Sequence, residues 1–270
     1  MSGLRLRSEH AALAALGGVL VLFLGAPLVA LLVTSSGADF EAGLDHPLVW
    51  PALRLSLWTT SISLFVIVLF GTPLAWTLAR SRGRLARAVE TAVQLPIVVP
   101  PAVAGVALLL AFGRRGLLAG WLYPRGWSVT FTTAAVIMAE VFVSAPFFIQ
   151  AATSAFRRID PRVLLVARTF GASPIRVFLR LGLPLAAPGL LAGAAMSWAR
   201  SLGEFGATLM FAGNLQGKTQ TLPLAIYVAL ESDLRAAQAL SIVLVVVAFG
   251  LLLFVRAVAP SSATNREPPP

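Results

Sequence analysis

LSLWTTSISLFVIVLFGTPLAWTLA, which runs from Leu55 to Ala79 without a charged residue, is the stretch that decides the fold. A helix crosses the hydrocarbon core of a membrane with about 20 apolar residues, so this run is long enough to span it. It contains Thr59, Thr60, Ser61 and Ser63, whose hydroxyls can donate to carbonyls of their own helix. The stretch is therefore predicted to be a transmembrane helix.

Apolar runs on both sides of this stretch predict further spans. They cover Ala11–Val33, Thr91–Gly113, Trp127–Phe156, Leu183–Phe211 and Ala236–Val255. The first is longer than the roughly 7–15 apolar residues of a secretory signal, which favours a spanning helix. The runs Thr91–Gly113 and Trp127–Phe156 contain prolines, which are expected to kink packed membrane helices. These prolines are Pro96, Pro100, Pro101 and Pro146.

Together, the runs predict an all-α, polytopic membrane helix bundle of about six transmembrane helices. Residues 11–258 would form one membrane domain, between a cytoplasmic tail at 1–10 and a disordered cytoplasmic tail at 259–270. The composition agrees, because 58% of the residues are hydrophobic and only 12% are charged. A soluble domain has about 25% charged residues with which to cover its surface.

The composition also excludes several kinds of function. The net charge of +10 does not indicate a nucleic-acid partner, because the arginines lie between long apolar runs and not on one basic face. The absence of cysteine excludes disulfides, thiolate nucleophiles and sulfur-ligated metals. His10 and His46 fall in different loops, so we expect no metal site.

The distribution of basic residues predicts the orientation in the membrane. With the N-terminus in the cytoplasm, fourteen basic residues fall on the cytoplasmic side and five on the outer side. Cytoplasmic loops carry the excess of Lys and Arg, so both termini are predicted to be cytoplasmic. The cytoplasmic set is Arg5, Arg7, Arg80, Arg82, Arg84, Arg87, Arg157, Arg158, Arg162, Arg168, Arg176, Arg180, Arg256 and Arg266, and the outer set is Arg114, Arg115, Arg125, Lys218 and Arg235.

The segment RRIDPRVLLVARTFGASPIRVFLRLGLP, residues 157–184, is too polar to lie in lipid. Asp160 and Pro161 predict the N-cap and first residue of a short helix, which should end at Gly171. Ser173 and Pro174 predict the start of a second helix, which Pro184 should end or kink. Two readings stay open from these signals alone: a docking surface for another protein, or interfacial helices that hold anionic lipid.

The same segment resembles the cytoplasmic loop motif of bacterial ABC import permeases, EAA-x3-G-x9-I-x-LP. Gly171, Leu181, Leu183 and Pro184 match the motif at its spacing. The resemblance implies the MetI-like permease fold, with a coupling loop at 157–183 whose first helix docks into a groove of a separate ATPase subunit.

One part of the motif is absent, because Leu165, Val166 and Ala167 stand where the motif has Glu-Ala-Ala. The carboxylate contact to the ATPase is therefore not carried over. Docking is expected to depend instead on apolar contacts and on Arg162 and Arg168.

Two further stretches are similar to permease subunits of molybdate importers, in a branch that includes sulfate and tungstate permeases. They are ARSLGEFGATLMFAGNLQGKTQT followed by LPLAIY, from Ala199 to Tyr227, and LPIVVPPAVAGVALLLAFGRRG, from Leu95 to Gly116. The likeness extends over roughly Arg54 to Val255. It implies an importer that moves molybdate across the bacterial cytoplasmic membrane, with tungstate and sulfate as the alternative substrates.

The resemblance also implies the partners. They are a second copy of the chain, two ABC ATPase subunits, an extracytoplasmic oxyanion-binding protein and the lipid bilayer. The sequence has no glycine- and lysine-containing phosphate loop, so ATP is expected to be bound and hydrolysed by the partner subunit and no cofactor by this chain. The chain is thus expected to be a transporter subunit and not an enzyme.

Ionisable and small residues within the predicted spans are candidates for the pathway or for helix packing: Arg200, Gly203, Glu204, Gly206 and Thr208. Arg200 and Glu204 are four residues apart and should share a helix face. An ion pair within the bundle is favoured over an anion site, because Glu204 would repel a dianion. Glu140 is expected to be a polar clamp between helices, and Gly203 and Gly206 are expected to allow close helix packing.

Two alternatives of other classes were weighed. A secondary carrier does not require the large basic loop at 157–183. An intramembrane enzyme requires a catalytic constellation at membrane depth, and the sequence offers no Ser/Lys pair or His/Asp cluster there.

Overall fold

The computed structural model describes the backbone of residues 2–35 and 37–258. Side chains are described for residues 13–251, apart from 36 and 39, and for residue 253. The predicted tail at 259–270 lies outside the described residues, as do the side chains of Arg5, Arg7, His10 and Arg256.

The described chain is a bundle of α-helices. These are α1 (Ser2–Val33), α2 (Gly37–Leu44), α3 (Val49–Arg80), α4 (Arg84–Val98), α5 (Pro101–Phe112), α6 (Ala119–Leu122), α7 (Thr133–Arg157), α8 (Pro161–Thr169), α9 (Pro174–Val177), α10 (Leu183–Leu202), α11 (Gly206–Ala212), α12 (Leu222–Ser232) and α13 (Leu234–Val258). Among the described residues, five helical stretches are long and apolar enough to cross a membrane, and six if α4 and α5 count as one bent span. The prediction of about six spans is confirmed. Helix α1 also includes residues 2–10, where a tail was predicted.

The predicted third span, Thr91–Gly113, is not one kinked helix. Helix α4 ends at Val98, and the chain bends by 116° before α5 begins at Pro101. Neither Pro100 nor Pro101 has an N–H, and a residue that precedes proline is pushed towards extended backbone. Val99 and Pro100 are accordingly extended, with ψ of 126° and 137°. Two consecutive prolines break the helix, whereas α7 continues through the single Pro146.

Helix α10 begins at Leu183, where a span was predicted to begin, but the predicted end of that span near Phe211 was wrong. A π-helical turn, Phe178–Gly182, joins α9 to α10, and helical structure continues from Pro174 to Leu202. The wider π turn directly before Pro184 makes room for its ring, which otherwise clashes with the preceding turn. The helix then ends at Leu202, and α11 is a separate short helix.

Helices α3, α7 and α10 form the centre of the bundle, and small residues bring α7 and α10 close together. A Cβ atom on Gly193 would lie 2.8 Å from the Cβ of Ala151, and one on Gly189 would lie 2.5 Å from the Cβ of Ala155. No side chain larger than hydrogen fits at these two positions without a shift of the helices. Such contacts between small residues are the usual way in which membrane helices pack.

Two buried apolar clusters lie along α7, and a third joins the start of α3 to α12 and α13. We call the two along α7 the proximal and the distal cluster, by their distance from segment 157–184. The proximal cluster contains Ile67, Ala75, Leu78, Phe148, Ile149, Ala152, Phe156, Ile159, Leu164, Val177 and Ala186. The distal cluster contains Ala104, Leu108, Ala135, Val136, Ala139, Val143, Ala207, Phe211 and Ala212. Helix α7 belongs to both clusters and passes from one to the other between Val143 and Phe148.

Candidate functional site

The segment that follows α7 has the local structure that its sequence predicts. The Oδ1 atom of Asp160 accepts a hydrogen bond from the backbone N–H of Arg162 at 2.8 Å, and Pro161 is the first residue of α8. Helix α8 ends at Thr169, and Gly171 has a φ of +81°. Glycine adopts this left-handed backbone at little cost. The predicted N-cap and glycine turn are both confirmed.

One side of α8 attaches the segment to the membrane bundle. Leu164 is buried and belongs to the proximal cluster together with Leu78 and Phe156. Val177, from the following helix, is buried in the same cluster. Among the other motif residues, Leu181 and Leu183 are half-buried against this cluster, whereas Pro184 is exposed. The segment therefore packs on the core and is not a free loop.

The other side of α8 presents apolar side chains outward. The exposed fraction is 63% for Leu165, 53% for Val166 and 87% for Phe170. Helical residues advance by about 100° each, so Val166 and Phe170 lie on the side of α8 that faces away from Leu164. Ala167, by contrast, is half-buried against the proximal cluster. We call Leu165, Val166 and Phe170 the apolar face of α8.

The same segment also carries exposed arginines. Arg162 and Arg168 lie on α8 itself, Arg176 and Arg180 follow on the next helical turns, and all four are exposed. Sequence reasoning had included Leu165 and Val166 but had missed Phe170. The available signal was an apolar residue directly before the helix-ending Gly171, at a helix position that faces away from Leu164. The segment therefore combines an exposed apolar face with exposed arginines, which suits a partner that offers an apolar groove with acidic groups nearby.

Two polar contacts brace the base of the segment. Arg157, at the end of α7, forms a two-pronged ion pair with Glu90 of α4, with N–O distances of 3.1 and 2.9 Å. Arg80, at the end of α3, donates to the carbonyl of Phe156 at 2.9 Å and lies over the Trp76 ring. The ends of α3, α4 and α7 are thus tied together directly before α8 begins.

Arg200 and Glu204 form an ion pair, but not along one helix. Their closest N and O atoms are 2.7 Å apart, and Glu204 is almost fully buried. Helix α10 ends at Leu202, so Glu204 lies in the break before α11. Its Oε1 atom accepts the backbone N–H of Ala207 at 2.8 Å and so caps α11. The geometry supports the ion-pair reading of these two residues over an anion site.

The three other pathway candidates differ in their surroundings. A Cβ on Gly206 would lie 3.0 Å from the backbone nitrogen of Ala102, so this glycine does allow close packing. A Cβ on Gly203 would meet only the carbonyl oxygen of Ala199, at 3.8 Å, so the packing role expected for Gly203 is wrong. Thr208 is fully buried in α11, and its hydroxyl has no hydrogen-bond partner within the described chain. Roles for these residues in a pathway stay predictions.

Glu140 is the polar clamp that was predicted. Its two carboxylate oxygens accept hydrogen bonds from Thr59 at 2.8 Å and Ser63 at 2.6 Å, which join α7 to α3. The hydroxyls of Thr60 and Ser61 bond carbonyls of their own helix, as predicted. The short bonds of Thr59 and Ser63 instead go to Glu140, because a buried carboxylate requires donors.

A second polar contact set joins α10 to the same layer. The Ser201 hydroxyl donates to the Ser144 hydroxyl at 2.7 Å, and the Ser197 hydroxyl donates to the Ser144 carbonyl at 3.0 Å. The indole of Trp198 donates to the Thr60 hydroxyl at 2.8 Å. These polar contacts join α10 to α3 and α7. Within the described part of the chain, no group of three or more His, Cys, Asp or Glu side chains is placed to hold a metal ion.

Comparisons with known proteins give consistent matches. The family model described as "Binding-protein-dependent transport system inner membrane component" matches residues 67–262. The chain is 46% identical to the molybdenum transport system permease protein ModB of Mycobacterium tuberculosis, over 91% of this chain and 93% of that protein. It is 36% identical to the probable transport system permease protein NifC of Clostridium pasteurianum, over 91% of this chain and 85% of that protein.

Solved structures share the fold at low sequence identity. A chain of a bacterial ABC transporter that imports the acidic polysaccharide alginate superposes with a TM-score of 0.76 at 17% identity, over 96% of this chain and 97% of that one. A chain of the MetNI methionine ABC transporter, in an inward-facing conformation, superposes with a TM-score of 0.63 at 19% identity, over 80% of this chain and 97% of that one. The expected permease fold is confirmed.

Proposed function

Because the chain belongs to the family of inner-membrane components of binding-protein-dependent transport systems, we propose that it is the permease subunit of an ATP-driven importer of molybdate. The named relatives support the substrate, since one that is 46% identical over nearly the whole chain is a molybdenum transport permease. The chain itself is a multi-pass membrane protein with several spans. It provides the route through the membrane, and another subunit provides the energy.

The observation that carries this proposal is the apolar face of α8. An exposed phenylalanine and two further exposed aliphatic side chains on a helix outside the spans are poorly hydrated, so they favour coverage by a partner. The exposed arginines of the same segment favour a partner with carboxylates, with which guanidinium groups form strong paired hydrogen bonds. An ATPase subunit with an apolar groove and acidic edges fits both features.

The attachment of α8 to the proximal cluster supports its role as the energy-coupling element. Leu164 and Val177 are buried among residues of α3 and α7, so a displacement of α8 moves these spans as well. Interiors packed at crystal density transmit displacement and do not absorb it. The partner ATPase subunits bind and hydrolyse ATP. Closure of these subunits acts on the membrane helices through α8.

The proposed assembly contains two copies of this chain, two ATPase subunits and an extracytoplasmic oxyanion-binding protein, in the bacterial cytoplasmic membrane. Segment 157–184 and both termini face the cytoplasm, which is supported by the excess of basic residues on that side. The binding protein selects the oxyanion and delivers it to the opposite side. The permease then needs only a passage of low affinity.

Reconstitution tests the proposal. The chain is placed in liposomes with its ATPase partner. ATP is supplied on the side of the ATPase, the binding protein and molybdate are supplied on the opposite side, and transport of molybdate towards the ATPase side is measured. We expect uptake that requires ATP, the ATPase and the binding protein together. Competition by tungstate and sulfate at equal concentration ranks the three oxyanions. Uptake without the ATPase would contradict the proposal and favour a carrier, and uptake of sulfate alone would contradict the substrate.

A further inference from the structure

Two helix breaks touch each other inside the bundle. One separates α4 from α5 at Val99 and Pro100, and the other separates α10 from α11 at residues 203–205. A Cβ on Gly206 would lie 3.1 Å from the Cβ of Pro101 and 3.0 Å from the nitrogen of Ala102. The first residues of α5 and α11 are therefore in direct contact. Because the two helices are interrupted side by side, helical hydrogen bonding is interrupted twice at the same level of the bundle.

On one side of this level, α5 and α11 are packed too closely to slide separately. A Cβ on Gly105 would lie 2.6 Å from the Cβ of Met210 and 2.7 Å from the carbonyl oxygen of Ala207. Both helices also share the distal cluster with the first half of α7. We call α5, α11 and α7 up to Val143 the distal body.

On the other side, the second half of α7 is packed against α10 through Gly189 and Gly193. Helix α8 is attached to the same unit through Leu164 in the proximal cluster. We call α8, α10 and α7 from Pro146 onward the proximal body. A force applied to α8 acts on this body first.

Helices α3 and α7 both continue past the two bodies: α3 bonds Glu140 in the distal half of α7 and also packs in the proximal cluster. Helix α7 is weakened where it passes from one body into the other. Pro146 lies between the last distal residue of α7, Val143, and its first proximal residue, Phe148. Proline has no N–H, so the carbonyl of Phe142 lacks its helical partner there. Missing helix hydrogen bonds at proline are among the known causes of helix bending.

Glu204 connects the two bodies across the break. One carboxylate oxygen accepts from the backbone N–H of Ala207 in α11, and the other is paired with Arg200 near the end of α10. The Glu204 side chain is almost fully buried, whereas that of Arg200 is partly exposed. Glu204 acts as a short strap over residues 203–205.

We infer that these features form a joint at which the distal body turns against the proximal body during transport, with Glu204 as the positioning residue that limits the turn. The inference rests on the proposed function, because the docked ATPase supplies the force through α8. Packed units of this kind move between discrete arrangements and do not deform continuously. The movement would therefore occur at the two helix breaks and at Pro146.

Stiffening the break tests the joint. A Cβ on Gly203 meets only the carbonyl oxygen of Ala199, at 3.8 Å, and the φ of Gly203 is −91°, so Gly203→Ala fits the fold. Alanine favours helix over glycine, so α10 should extend into the break. We expect molybdate uptake per ATP hydrolysed to fall at least threefold. Gly250→Ala in α13, where nothing lies within 4 Å, is the matched control and should leave this ratio unchanged.

The strap is tested by Glu204→Gln, which keeps an acceptor for Ala207 and removes the charge that pairs with Arg200. A looser strap should raise ATP hydrolysis in the absence of binding protein at least twofold per assembled complex. An ion pair that is merely structural would lower the yield of complex and leave the rate per complex unchanged. That second outcome would remove Glu204 from the joint.

A cross-link tests whether α5 and α11 move together. The chain has no cysteine, so Pro101→Cys combined with Gly206→Cys forms a single possible pair, with a Cβ separation close to the roughly 3.5–4.5 Å of disulfides. Both positions belong to the distal body, and the oxidised complex should transport as well as the reduced one. A loss of uptake that a reductant restores would show that the two helices part, and the joint would be wrong.

Failure of the joint and failure of the proposed function give different results. Wild-type uptake per ATP in Gly203→Ala would overturn the joint alone. A wild-type chain that bound no ATPase would overturn the proposed function and the joint with it.

Discussion

Replacement of Phe170 by alanine should weaken binding of the ATPase by roughly 30-fold. The side chain is 87% exposed in the isolated chain, so nearly all of its apolar area is still available for burial by a partner. Burial of a phenylalanine side chain is worth about 1.5–3 kcal/mol, and a central value of about 2 kcal/mol corresponds to roughly a 30-fold change in Kd. Because Phe170 touches little of its own chain, Phe170→Ala should leave the stability of the membrane bundle unchanged.

The assay is a titration of the purified ATPase against the chain in nanodiscs, with thermal unfolding of the chain as the check on stability. Phe65→Ala is the matched control, since Phe65 is 66% exposed on α3, away from segment 157–184. It should bind the ATPase like the wild type. An unchanged Kd for Phe170→Ala would refute the reasoning, and the apolar face of α8 would then be assigned to the lipid surface.

Three further predictions concern topology, the glycine turn and the buried carboxylate. Single cysteines at Ser81 and Ser173 should resist an impermeant thiol reagent in intact cells, while one at Gln216 should react, because the proposed orientation places the first two on the cytoplasmic side. Gly171→Asp should reduce ATPase binding and uptake without loss of membrane insertion, because a φ of +81° costs a residue with a side chain about 1 kcal/mol and misdirects the segment. Glu140→Ala should lower the Tm in detergent more than Glu140→Gln does, because alanine removes the short hydrogen bonds of two buried hydroxyls and leaves each only a carbonyl at 3.3 Å, at a cost of about 1 kcal/mol each.

Each of these predictions has an outcome that contradicts it. Labelling of Ser173→Cys but not Gln216→Cys would reverse the orientation. For the coupling loop, charge reversal supplies a comparison: Arg162→Glu and Arg168→Glu should weaken docking more than Arg256→Glu does, which lies outside segment 157–184. Full ATPase binding by all three variants and by Gly171→Asp would exclude docking at α8. Equal Tm values for the two Glu140 variants would show that the clamp contributes nothing to stability.

The features that could be predicted from the sequence are those set by short-range chemistry. An uncharged run such as Leu55–Ala79 has one structure available in a membrane, because every backbone group must be bonded within the segment. Asp160 and Gly171 are likewise decided by their own backbone requirements, so both ends of α8 were correctly predicted. The partners of Glu140 could not be named, but a carboxylate in an apolar run must find donors, and the clamp followed from that alone.

The breaks in the spans could not be placed, because they depend on neighbours distant in the chain. Pro100 and Pro101 break a helix where Pro146 only interrupts its hydrogen bonding, and the break is tolerated because Gly206 leaves space beside Pro101. The break after Leu202 has no proline at all and depends on Glu204 to cap α11. Phe170 was missed for a related reason. Phe170 matters because it is exposed. It is exposed because Leu164, on the other side of α8, packs against the core.

The burial of Leu164 also decides how far segment 157–184 can be separated from the rest of the protein. Its inner side is completed by Leu78 of α3 and Phe156 of α7, which both lie outside the segment. A synthetic peptide of this sequence would lack those contacts, and a nine-residue helix is marginal in water on its own. Such a peptide should therefore be a poor competitor for the ATPase. Transplantation of the segment into another permease should succeed only if the residues that pack against Leu164, such as Leu78 and Phe156, are transplanted with it.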